Sequence, residues 1–167
     1  MDIFMEKIVA KKKGIQDYLI ITGLVFAGFI VLIAVMTISF LRSLWPILAA
    51  GVIYLIYYLS TSRNVEFEYI VTNGDLDIDK IISRRKRKRI FSANCKSFDI
   101  LAKYKSEHYN SEVKNIQKKI EAVSSMDSPG VYFATLNYKN ERTVIFFEPD
   151  EKMLDSFKTY IPRKLFR

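Results

Sequence analysis

The apolar and polar positions along the chain fall into two regimes. From residue 18 to residue 62 the chain is almost continuously apolar. Residues 18–41 (YLIITGLVFAGFIVLIAVMTISFL) and 43–62 (SLWPILAAGVIYLIYYLSTS) hold no charged side chain, and only Arg42 separates them. A helix rises about 1.5 Å per residue, so about 20 residues cross a hydrocarbon core of about 30 Å. Each stretch is long enough, and so short a connection makes the two helices antiparallel. The pattern predicts a two-helix transmembrane hairpin over 18–62. A secretory signal fits less well, because the first stretch exceeds an h-region and a second follows at once.

Beyond residue 63 the period drops to two. In VEFEYIVT (65–72), Val65, Phe67, Tyr69 and Val71 alternate with Glu66, Glu68, Ile70 and Thr72; DLDIDKII (75–82) alternates likewise. These are half-buried strands. Asn73-Gly74 between them tolerates the positive φ of a type I′ hairpin. The alternation slips at Lys80-Ile81, which predicts a β-bulge there. Ile90-Phe91 and 96–104 read as two more strands, 105–119 as a polar loop with a helical turn, and 120–125 as a short strand. Asp127–Gly130 is a turn, and 131–138 and 143–147 form a second hairpin across 139–142. Met153, Leu154, Phe157, Tyr160 and Ile161 share one helical face, after acids at Asp150 and Glu151 and before Pro162. About 105 residues suit one small core. The expected fold is a membrane α-hairpin plus a mainly-β domain, an antiparallel barrel or sandwich capped by a C-terminal helix.

The first residues have two readings. Met1, Phe4, Met5, Ile8 and Val9 share a helical face, as in a helix lying at the membrane interface. Alternatively the lead is only a basic flank. The expected boundaries are 1–17 for this segment, 18–62 for the hairpin and 63–167 for the soluble domain.

The strand and helix order resembles the pleckstrin-homology (PH) superfold. EFEYIVTNGDLDIDKIISRRKRKRIF resembles the opening hairpin of a bacterial PH-like domain, and FEPDEKMLDSFKTYIPRKLF its closing helix. With the lead MEKIVAKKKGIQDYLIITG, these stretches are similar to small bacterial membrane proteins in which two spans precede such a domain. The resemblance implies the PH-like fold and a cell-membrane location. It carries no activity over residue by residue.

Charge adds orientation and a candidate surface. Lys7, Lys11, Lys12 and Lys13 precede the first span, Arg63 follows the second, and the loop between holds only Arg42. The positive-inside rule then places both termini in the cytoplasm. Trp45 belongs at the outer interface, and Tyr18, Tyr57 and Tyr58 at the inner one. Residues 63–167 carry 21 basic and 15 acidic side chains, and the run Arg84, Arg85, Lys86, Arg87, Lys88 and Arg89 supplies the whole difference. A six-charge connection near an anionic leaflet gains about 1 kcal/mol per residue that reaches the surface. These six are the lipid-surface candidates, against a topology signal or a solvated charge run. Eukaryotic PH domains often bind phosphoinositides through basic residues around the first hairpin; here the first turn is the tight Asn73-Gly74. Nucleic acid is disfavoured, since no aromatic residues interleave the run.

Catalytic and metal chemistry find no residues. Asp75, Asp77 and Asp79 begin like a calcium loop, but Lys80 and Lys86 occupy the positions that need Gly and Glu. Cys95 and His108, the only cysteine and histidine, cannot make a zinc site. Nucleotide-binding and hydrolase motifs are absent, and the spans lack the ionisable groups of an ion path. Gly23 and Ala27 form a weak small-xxx-small pair, which either packs the spans or favours a homo-oligomer, or faces lipid by chance. The expectation is a non-enzymatic, cofactor-free, membrane-anchored interaction module that binds a protein partner, the anionic inner leaflet, or both. The alternative is a structural subunit of a membrane complex with no lipid role.

Overall fold

The computed structural model describes residues 4–167. The chain forms two compact units: residues 12–65, and residues 66–167 joined by the lead up to Lys11.

The first unit is helical: α1 (Ile15–Thr37), a single turn α2 (Ser39–Arg42), and α3 (Trp45–Thr61). Arg63, just past α3, pairs with Asp17 in the first turn of α1 at 2.6 Å. The end of α3 therefore lies beside the start of α1, and the two run antiparallel. Gly28 permits their contact, because a Cβ there would lie 2.5 Å from Ile56 and 3.1 Å from Val52. The expected small pair is not the packing surface: Gly23 meets nothing within 4 Å and Ala27 is exposed. Helical period explains this, since Gly28 lies well round the helix from both. α1 has 23 residues and a mean hydropathy of 2.9, enough by length and composition to cross a membrane. Pro46 sets the first turn of α3, so its 17 residues span about 25 Å, less than expected. Gly28 is the only buried residue of α1 and Ala49 the only one of α3, so large side chains such as Phe26, Phe29, Ile47 and Ile53 point outward.

The second unit packs two sheets. The first has the order β1-β2-β3-β4, with β1 (Phe4–Ala10), β2 (Val65–Thr72), β3 (Asp75–Ile82) and β4 (Lys86–Asn94). The second has the order β6-β8-β7-β5-β9, with β5 (Ile100–Lys103), β6 (Lys118–Ala122), β7 (Tyr132–Tyr138), β8 (Glu141–Phe147) and β9 (Leu165–Phe166). A short helix α4 (Ser111–Lys114) lies in the long loop, and α5 (Glu151–Tyr160) follows β8. β7 is antiparallel to β5 and β8, whereas the edge strands β6 and β9 join in parallel. The arrangement is a sandwich of two sheets with two parallel edge pairs, departing there from the all-antiparallel expectation.

The lead corrects the expected helix. Residues 4–10 form a strand that pairs antiparallel with β2, from Phe4 opposite Thr72 to Ala10 opposite Glu66. Met1 lies outside the described residues. An isolated ten-residue helix is marginal, while β2 offers an unpaired edge whose ladder bonds the lead completes. Lys7 secures it by donating from Nζ to the Glu148 carbonyl at 2.8 Å. Both helices are thus an insertion in the connection between two neighbouring strands.

Three tight turns use left-handed residues: Asn73-Gly74, Ser83-Arg84 and Lys139-Asn140, all with φ between 51° and 88°. The first is the predicted type I′ turn. The bulge lies between Ile78 and Asp79, two residues before its expected place, because Ile90 is the extra residue in β4. Phe91 then faces inward opposite Ile78 while Arg89 faces outward opposite Asp79.

The core holds Phe67, Tyr69, Leu76, Ile78, Phe91, Phe98, Leu101, Ile145, Phe147 and Phe157. α5 closes one end. Asp150 caps it by accepting from the Met153 amide at 2.8 Å, and Phe157 packs against Phe98 and Phe147 with centroids 6.5 and 6.3 Å away. Its Tyr160 abuts Gly74, so the helix sits at the β2–β3 turn. The far face of the second sheet is also covered: Val113, Ile116 and Tyr109 from the loop pack on Phe133, Val144 and Phe146. Burial on both faces explains why β7 and β8 read as continuous apolar runs.

Candidate functional site: the basic end of the first sheet

β2 leaves the helical insertion at Glu66 and runs to the Asn73-Gly74 turn; β3 returns. The Ser83–Arg85 turn therefore lies at the same end of the sheet as Ala10 and Glu66, opposite α5. The Arg84–Glu66 ion pair, at 3.2 Å, fixes that proximity. The basic run lies about twenty residues beyond the second apolar stretch in sequence. The fold returns it to the strand ends where the chain departs for α1 and arrives from α3.

The run is not a loop. Arg84 and Arg85 stand in the turn, and Lys86, Arg87, Lys88 and Arg89 begin β4. All six are exposed, but strand alternation divides them. Arg87 and Arg89 lie on the outer face of the sheet over a row of acids. Arg87 meets Glu68 at 2.7 Å. Arg89 meets Asp77 at 2.5 Å and also pairs with Asp79. Arg85, Lys86 and Lys88 have no acidic partner among the described residues. Half of the run is therefore neutralised internally, which its sequence alone does not reveal. The signal was present in the acids of EFE and DLDID, which share one face of their hairpin.

Glu68 and Asp79 are nearly inaccessible, at 2% and 3% relative exposure. An exposed surface pair contributes little, but removing Arg87 or Arg89 would strand a buried carboxylate, at a cost of about 1–3 kcal/mol. Burial pushes the Glu68 carboxyl above the usual range; Arg87 opposes this, while Glu6 on β1 and Asp79 add to it. Ile8, Glu66, Ile81, Arg84, Arg85, Lys86 and Arg87 line an open cleft of about 380 Å3 at this end. Its lining combines four basic side chains with two isoleucines and Glu66.

The other singled-out residues lie elsewhere. Asp75 accepts from Asn94 Nδ2 at 2.7 Å, and no cluster of three metal-ligating side chains occurs among the described residues. Cys95 is fully buried, and burial pushes its thiol up to about 11. His108 stacks on Phe166 with centroids 4.0 Å apart. One polar cluster went unforeseen. Glu148 accepts from the Ser124 amide at 2.5 Å and from Ser128 Oγ at 2.9 Å, and its own amide donates to Tyr69 Oη at 3.3 Å. Tyr69 in turn donates to the Ala122 carbonyl. With Lys7 on the Glu148 carbonyl, this cluster ties β1 and β2 to the second sheet.

No curated protein and no solved structure matches the chain. A family described as a bacterial PH-like domain, DUF6106, matches residues 1–167. Its match takes in the N-terminal lead, in keeping with a first strand that belongs to the domain. Two packed sheets closed by a C-terminal helix are the architecture that description names, and the chain belongs to this bacterial PH-like domain family, DUF6106.

Proposed function

We propose that this protein is a membrane-anchored interaction module. α1 and α3 cross the bilayer as an antiparallel pair, both termini are cytoplasmic, and the PH-like domain lies at the anionic inner leaflet. One observation carries the reading: Ala10 and Glu66 are register partners. The chain leaves the sheet and re-enters it at neighbouring positions, so an outward crossing by α1 requires a return, and α3 supplies it. A cleaved signal sequence is hard to reconcile with this topology, since cleavage after α1 would remove β1 from the sheet. The outward apolar side chains of both helices need a lipid environment, and Lys11, Lys12, Lys13 and Arg63 flank them.

The same strand ends carry Arg85 and Lys86, with Lys88 beside them. These three cations are free to meet anionic headgroups, in a general electrostatic attraction. A protein partner would meet the domain at the membrane surface. The register also supplies the test. Replacing residues 11–65 by Asn-Gly converts β1 and β2 into a direct type I′ hairpin and yields a tether-free domain. That protein is expected to co-sediment with vesicles containing anionic lipid, to bind neutral vesicles less, and to release as salt rises. Equal binding to both vesicle types, or a stable oligomer indifferent to lipid, would reject the lipid role and favour a structural subunit.

A further inference from the structure

The acids under the basic strand hold a feature that neither the PH-like fold nor surface attraction uses. Glu68 is buried beneath Arg87. One carboxylate oxygen, Oε1, takes the Arg87 guanidinium at 2.7 Å. The other, Oε2, is fully buried and has no donor. A buried acceptor without a donor is costly. The carboxyl that faces it from β1 is Glu6, which pushes it up further. Glu6 stands on β1 opposite Ile70, diagonal to Glu68 on the same outer face. Two carboxylates cannot hydrogen-bond each other, whereas a carboxylic acid and a carboxylate can.

We propose that Glu6 and Glu68 share one proton in the folded protein, and that this proton clamps β1 to β2. The bond places the missing donor at Oε2 and turns a repulsion across the strand pair into an attraction. Among the described residues, Glu66 beside it on β2 is paired with Arg84, and Asp77 on β3 with Arg89. Arg87 from β4 favours its ionised form, and Asp79 from β3 favours its protonated form. Asp79 is itself held by Arg89. Lys7 points to the opposite face, toward the Glu148 carbonyl.

The sign follows from linkage. Burial raises the Glu68 carboxyl in the folded state above its ordinary value of 4.5. The folded state therefore holds the proton over a range where the unfolded chain has released it, so the contribution is complete below about 4.5 and declines as pH rises through the raised value. β1 should be tightest in mild acid and loosest in alkali. Because β1 continues into α1 through residues 11–14, loosening it frees the chain segment that joins the sheet to the first helix. The clamp makes that junction responsive to pH.

Hydrogen exchange of β1 amides in the full-length protein in detergent micelles tests this. Intrinsic exchange rates are corrected for pH, and Lys7 to Val9 are compared at about pH 5 and about pH 8. Protection should fall between the two, the loss following ionisation of the Glu68 carboxyl. Glu6→Gln supplies a permanent neutral donor, so its β1 protection should be nearly constant across the range. Glu6 is exposed, so this variant should fold, and thermal unfolding of α5 and the core checks it. Infrared spectra add a direct reading: a protonated-carboxyl band should persist in the wild type above the pH at which ordinary carboxyls ionise, and vanish there in both Glu6→Gln and Glu68→Gln. Equal β1 protection at the two pH values in the wild type would overturn the proposal. So would an unchanged pH dependence, or an unchanged carboxyl band, in folded Glu6→Gln.

Discussion

Phe157→Ala is expected to destabilise the PH-like domain by about 3–5 kcal/mol, the usual cost of emptying a large aromatic site in a core. Phe157 is completely buried and is the side chain of α5 that reaches both Phe98 and Phe147. The neighbouring rings come from separate elements, a loop and a strand end, and cannot both collapse into the space. Against a typical domain stability of 5–15 kcal/mol, that loss is large. Urea unfolding of the full-length protein in micelles, followed through the near-ultraviolet signal of the domain, should show a clearly lower midpoint. An unchanged midpoint would mean that α5 does not close the sandwich.

The second large effect concerns the free cations. In the tether-free domain, Arg85→Gln, Lys86→Gln and Lys88→Gln together should weaken binding to anionic vesicles by up to about 3 kcal/mol, roughly a hundredfold, if all three reach the surface. Strand alternation sets Lys86 and Lys88 on one side and leaves Arg85 in the turn, so the measured loss should fall somewhat short. Binding should be steepest at low salt, since screening shortens the field to about 8 Å at physiological ionic strength. Arg84→Gln, Arg87→Gln and Arg89→Gln remove the same formal charge but strand Glu66, Glu68, Asp77 and Asp79. That triple should cost stability more than the first does. If the two triples weakened binding equally and left stability equally intact, the division into paired and free cations would be wrong.

Much of the fold was legible because period and turn chemistry agree. Asn73-Gly74 between two alternating runs specified a hairpin, and Met153, Leu154 and Phe157 on one face behind Pro149 and an acidic first turn specified the closing helix. The lead was not legible. FMEKIVA is too short to settle its own structure, and its strand exists because β2, more than fifty residues later, presents an open edge. The bulge was expected at Lys80-Ile81 because β3 loses alternation there, but its cause is Ile90 on the partner strand. The basic run was read as one positive connection, since a run of six like charges shows no face. Its division became visible only when β4 was laid over the acids of β2 and β3. Gly28 was passed over in favour of Gly23 and Ala27 because a small-residue spacing on one helix does not identify the face its neighbour meets.

The central claim is that the chain crosses the membrane twice and keeps its PH-like domain and both ends inside. Cys95 is buried and its thiol pushed up to about 11, so it stays silent to maleimides and single cysteines can be added to the natural sequence. Two positions decide the matter: Ser43→Cys, between α2 and α3, and Lys105→Cys, exposed in the loop after β5. With a membrane-impermeant maleimide, intact cells should label Ser43→Cys at once and label Lys105→Cys only after lysis. Labelling of Lys105→Cys in intact cells, or protection of Ser43→Cys until lysis, would contradict the two-span anchored module.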